Sequence, residues 1–150
     1  MTRRAFLLPA LLVIVASTVR AQWASRSSAV PLWADSALTR AGFWAGYDFT
    51  SRLSPQIGYA DLDGDGLWDI ALSIVDRGGR RHGVAIVNQI DRSVYILGAG
   101  KPLPNGRAEF SEWSLEELLG HRTGIRVADQ RASGWFVWNG QTYVWVQDSE

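Results

Sequence analysis

Tyr59-Ala60-Asp61-Leu62-Asp63-Gly64-Asp65-Gly66-Leu67-Trp68-Asp69-Ile70-Ala71-Leu72 is the stretch on which the reading of this chain turns. Counted from Asp61, carboxylates fall at positions 1, 3, 5 and 9, and glycines at 4 and 6. Carboxylates packed this closely repel one another unless something neutralises them. Glycine lets a short backbone wrap around a small centre. The donors are all hard oxygens, which suits calcium, an ion that takes six to eight oxygen ligands in flexible geometry. Asp61, Asp63 and Asp65 would give one carboxylate oxygen each, Leu67 its backbone carbonyl, and Asp69 would close the site directly or through water. Trp68 and Ile70 would anchor the exit strand in the core. Magnesium would want fewer protein ligands and a phosphate nearby, and zinc would want His or Cys, which the loop lacks. The plain alternative is a solvated Asp-Gly turn, which does not require this spacing.

What flanks the loop decides the fold. An EF-hand needs a Glu at position 12 and a helix on either side. Position 12 here is Leu72, within Trp68 to Val75 (WDIALSIV), where Ile70, Leu72 and Ile74 share a face by period two. Ile57 to Ala60 is a short strand entering the loop. Asp76 to Arg81 (DRGGRR) reads as a turn, His82 to Ile90 as a strand, Gln89 to Arg92 as a turn and Ser93 to Leu97 as a third strand. Together they predict an antiparallel meander. Residues 98–106, with two Pro and three Gly, read as a loop.

Further along, Ser111 to Gly120 is expected to be one short helix, with Ser114 and Glu117 as a capping box and Gly120 as its stop. Thr123 to Ala128 is a possible strand. Gly134 to Trp138 and Gln141 to Gln147 form a hairpin across Asn139-Gly140, the strongest two-residue signal for a type I′ turn. On the amino side, Trp33 to Arg40 is readable as a short helix ended near Gly42, followed by aromatics laid across a sheet. The expected fold class is mainly β or α+β: a small antiparallel meander with one calcium loop, one short helix and a C-terminal hairpin.

The run from Tyr59 to Leu72 resembles the FG-GAP or VCBS-type repeat, whose loop reads D-x-D-x-D-G-x-x-D between two strands. The likeness covers about 20 residues. It implies side-chain ligation by Asp61, Asp63, Asp65 and Asp69 and a carbonyl ligand from Leu67. Members of that family hold several repeats in a propeller. This chain has a single acidic loop, so a propeller of several blades is not expected. The ending Trp138 to Gln147 also resembles the aromatic terminal hairpin of small, single-repeat bacterial secreted proteins of unassigned function.

The start of the chain places the loop. Arg3 and Arg4 precede an apolar run at residues 5–19, and Val19-Arg20-Ala21 offers a cut before Gln22. Residues 1–21 are therefore expected to be a signal peptide, 22–30 a flexible lead and 31–150 a single calcium-binding β-rich domain. The run is shorter than the roughly 20 residues of a membrane span and contains Pro9, so no span is expected after cleavage. No Cys follows it for lipid attachment. Arg3-Arg4 also fits a twin-arginine export motif beside the ordinary Sec route. Secretion or the periplasm follows as the expected location.

Removing Arg3, Arg4 and Arg20 leaves 12 basic residues of the original 15 against 15 acids, a net charge near −3. A bound divalent ion would bring that to about −1. Such a surface does not suit nucleic acid. With no Cys there is no disulfide staple, so stability must come from core burial, much of it from eight Trp, and from metal.

Catalytic signals are sparse. His82 and His121 are the only histidines, thiol catalysis is absent, and no G-x-S-x-G elbow occurs. Glu116 and Glu117 are adjacent and make a poor acid/base pair. The expectation is a non-enzymatic binding or scaffolding domain whose partner is calcium. A second reading gives Trp135, Trp138, Tyr143 and Trp145 a role in binding glycan or an envelope protein. Its plain alternative places one face of that hairpin in the core and closes the other onto the N-terminal aromatics.

Overall fold

A computed structural model describes residues 30–103, 111–118, 120, 122–129 and 132–148. The expected signal peptide, residues 22–29 of the lead, and His121 lie outside them. The chain divides into Met1–Val30 and a compact unit, Pro31–Glu150, whose fold follows. It is mainly antiparallel β, in two sheets, with a short helix near its start. No helix among the described residues is long and apolar enough to cross a membrane.

Helix α1 spans Leu32–Arg40, with Pro31 at its N-cap, Asp35 in the first turn and Arg40 in the last. Gly42, at φ 69°, turns the chain into the single helical turn α2, Phe43–Gly46. Four aromatics then cluster: Phe43 meets Trp44 edge-on at 4.9 Å, stacks on Tyr47 at 5.4 Å, and lies 6.0 Å from Phe49.

The first sheet is built around β3, Asp69–Asp76, which is buried along nearly its whole length. β4 (His82–Val87) and β5 (Val94–Gly98) continue from it as a meander. Its other edge is shared by two short strands. β2 (Ile57–Ala60) pairs with the first half, from Ala60↔Asp69 to Ile57↔Leu72. β1 (Tyr47–Phe49) pairs with the second, from Phe49↔Ile74 to Tyr47↔Asp76. Between them the Ser73 backbone bonds to Thr50 and Gln56 at 3.1 and 2.8 Å, so the ladder has no gap.

A strand buried on both faces needs apolar residues at both parities, and DIALSIVD supplies them. Ala71 faces a core shared with Val84, Ile86 and Leu97 and with the second sheet's Trp113, Ile125, Val127 and Phe136. Ile70, Leu72 and Ile74, of opposite parity, are fully buried on the other face. On that side α1, with Ala34, Ala37 and Leu38 buried, lies against β4.

The second sheet runs β6 (Glu112–Leu118), β7 (Arg122–Asp129), β8 (Ala132–Trp138), β9 (Tyr143–Gln147) in simple order. The expected helix over 111–120 is corrected: Glu112–Leu118 form β6, paired with β7 from Glu112↔Ala128 to Leu118↔Arg122. Trp113 and Leu115 share one parity, and the core they reach outweighs the local capping signal. Ser114 donates to Glu116 Oε1 at 3.1 Å rather than capping a helix. Gly120, at φ 84°, turns the chain between β6 and β7. A polar pin crosses the core: Trp113 Nε1 donates to Ser73 Oγ at 2.8 Å, and Ser73 Oγ donates to the Pro55 carbonyl at 2.7 Å.

The C-terminal hairpin forms as expected, but its turn is displaced. Trp138 pairs with Tyr143, and the Asn139 N–H reaches the Thr142 carbonyl at 3.1 Å, leaving Gly140 and Gln141 at the tip. Asn139 Oδ1 accepts from both Gln141 N and Thr142 N at 2.9 Å, an Asx turn that overrides the type I′ preference. The shift is two residues, so facing is unchanged. Phe136, Trp138, Tyr143 and Trp145 pack on the core side.

Candidate metal loop and adjoining cleft

Residues 61–68 connect β2 to β3 and stand above the pair Ala60↔Asp69. Each early aspartate folds the backbone back onto itself. Asp61 accepts from Gly64 N at 2.7 Å and Gly66 N at 3.0 Å, Asp63 from Asp65 N at 3.1 Å, and Asp65 from Leu67 N at 2.7 Å. Such turns need positive φ at intervals, which Gly64 (82°) and Gly66 (87°) provide. Through this winding Asp61, Asp63 and Asp65 each bring a carboxylate oxygen within 4.8 Å of the others. Three hard oxygen donors in one small space suit a divalent cation such as calcium.

Asp69 does not join them. It is fully buried, and its carboxylate is a backbone anchor. Oδ2 accepts from Leu62 N at 2.8 Å and Asp63 N at 3.2 Å, while Oδ1 accepts from Gln89 N at 2.8 Å. Burial pushes its pKa up to about 6, against the pull of the Gln89 and Leu62 N–H groups. Asp63 is also raised, first by burial and then by the charges of Asp65 and Asp61.

Two further residues hold the loop. Asn88, fully buried at the end of β4, donates from Nδ2 to Asp63 Oδ2 at 3.0 Å. Its Oδ1 accepts from Tyr143 Oη at 3.0 Å. Burial, with the nearby charges of Asp69 and Asp63, raises the Tyr143 phenol far above its ordinary range. Sequence reading assigns Asn88 no role and names Tyr143 only among the hairpin aromatics, not as a support of the loop. The one available sign was a lone amide closing the apolar run GVAIV. Leu62 is buried in the core, and Ile70 is buried as expected. Trp68 corrects its expectation: it is 67% exposed and lies outside the core. The Leu67 side chain is exposed as well.

Beside the loop opens a cleft of about 410 Å³. Asp61 and Asp63 line one wall, Gly120 of the β6–β7 turn with Arg122 and Thr123 at the start of β7 another, and Trp138 and Asn139 from the last hairpin a third.

The other sequence candidates lie apart from both. Glu116 and Glu117 are neighbours on a strand, so they face opposite ways. Glu116 accepts from Trp135 Nε1 at 3.4 Å and pairs with Arg126 at 3.7 Å. The Arg126 guanidinium lies 5.7 Å from the Trp135 ring centre. On the outer face of the hairpin Arg126 lies against Trp135 while Val146 stays exposed, and the N-terminal aromatics pack among themselves. His82 heads β4, with Nε2 buried and without a partner. The chain matches no known family model, no curated protein and no solved structure.

Proposed function

We propose that this chain is an exported calcium-binding domain, non-enzymatic, in which one ion fastens a small disulfide-free β structure for a binding or scaffolding role. One observation carries the reading: Asp61, Asp63 and Asp65 converge within 4.8 Å on a loop whose buried neighbour Asp69 already holds the backbone in place. The donor set is oxygen alone, the chemistry calcium prefers. The likeness of residues 59–72 to the FG-GAP or VCBS-type loop supports the same ion. That likeness would assign Leu67 as a carbonyl ligand and Asp69 as a further ligand, directly or through water.

The calcium would tie the end of β2 to the start of β3, and so stabilise the fold by mass action. At ~1 mM free ion and a dissociation constant on the order of 0.1 mM, the gain is about 1.4 kcal/mol. The test is titration calorimetry with calcium on the purified domain, alongside melting curves with calcium and with chelator. Heat of binding and a melting point raised by calcium are expected, and both should vanish in Asp65→Ala. Identical curves with calcium and chelator would reject the reading.

A further inference from the structure

We infer that the cleft beside the acidic loop is a saccharide-binding site. Three segments distant in sequence build it: the β2–β3 loop, the β6–β7 turn and the tip of the last hairpin. Its volume, about 410 Å³, lies within the range of small-molecule sites and is ample for one sugar ring.

The lining mixes both hydrogen-bonding senses. Asp61 and Asp63 offer acceptor oxygens, Arg122 only donors, and Thr123 a hydroxyl that can do either. A sugar hydroxyl is likewise both donor and acceptor, so a ring bearing several of them can satisfy opposite walls at once. Trp138 adds the apolar wall. Its indole is partly buried and is held edge-on to Tyr95 at 5.5 Å and tilted against Tyr143 at 5.1 Å. The indole, packed against the core, is thereby already ordered before a ligand arrives. The Asn139 side-chain oxygen is occupied by its Asx turn, which holds the tip of the hairpin in shape beside the cleft.

This inference deepens the binding role proposed above by naming a ligand class, and the cleft shares Asp61 and Asp63 with the proposed ion site. Trp135 is not part of it: that residue lies on the opposite face of β8, beneath Arg126.

The experiment is a glycan array probed with the domain in calcium and again in chelator. Amide shift mapping by NMR then follows with the best-bound oligosaccharide. Expected are retention of one glycan class and shifts at Gly120, Arg122, Thr123 and Gly140. Arg122→Ala removes an exposed side chain, so the melting point should hold while affinity falls about 10- to 100-fold, the loss of one charged hydrogen bond. No retained glycan, shifts centred on Trp135, or unchanged affinity in Arg122→Ala would each overturn the inference. Calcium heat without glycan binding would sink the cleft alone. Glycan binding without calcium heat would sink the metal reading alone.

Discussion

Asp65 and Asp69 show how two aspartates four residues apart do different work. Asp65 is exposed and its carboxylate accepts from Leu67 N. Asp69 is buried and satisfies three N–H groups. In chelator, Asp65→Ala should cost under about 1 kcal/mol, since a single exposed turn is lost. Asp69→Ala should cost about 3 kcal/mol or more, because Leu62, Asp63 and Gln89 are left with unpaired donors. Urea midpoints of the two variants against the parent check this, and equal losses would contradict it. Asp76 gives the pH counterpart. Its carboxylate accepts from Arg80 N and Arg81 N at 2.9 and 3.2 Å, which lowers its pKa below 3.8. The unfolded chain then takes up a proton at a higher pH than the folded one. This stabilisation is complete above about pH 4 and is lost as pH falls through the lower, folded value. Asp76→Asn should therefore narrow the gap to the parent in acid, as read from denaturation midpoints across that window.

Among the elements, the close approach of side chain to backbone within the second sheet sets a sharp constraint. A Cβ added at Gly134 would lie 2.4 Å from Trp145 Cζ2 and 2.6 Å from the Val146 carbonyl. The ring cannot yield without leaving Phe136, which it meets at 5.2 Å. Gly134→Ala is expected to lower stability by about 1–3 kcal/mol, with a smaller near-ultraviolet tryptophan signal. The elements also show where sequence reading succeeds. β2 was legible to the residue, because the aspartates of the loop fix its end. α1 was legible too, with a basic residue in its last turn and a glycine stop. β6 was not: Ser114, Glu117 and Gly120 imitate helix punctuation, and only the pairing with β7 and the burial of Trp113 decide otherwise. In the same way Asn139 serves the displaced turn through its side chain. The three carboxylates were visible from spacing alone, whereas Asn88 and the cleft arise from contacts between segments far apart in the chain.

In the whole domain, no disulfide supports the core, and under the proposed reading the cation would share that task. A gain of about 1.4 kcal/mol corresponds to a rise in melting temperature on the order of 5 °C for a domain of this size. A calcium series should therefore move the melting point with the logarithm of free ion once the site is saturated, and magnesium should move it less. The hydrogen bonds from Tyr143 to Asn88 and from Asn88 to Asp63 run from the last strand to the acidic loop. Synthesis proceeds from the amino end, so every carboxylate of that loop is made long before the phenol that braces it. A chain cut short ahead of β9 would carry the full acidic motif and lack its support. Under the calcium reading proposed above, a chain lacking β9 would therefore hold the ion more weakly than the domain that has it.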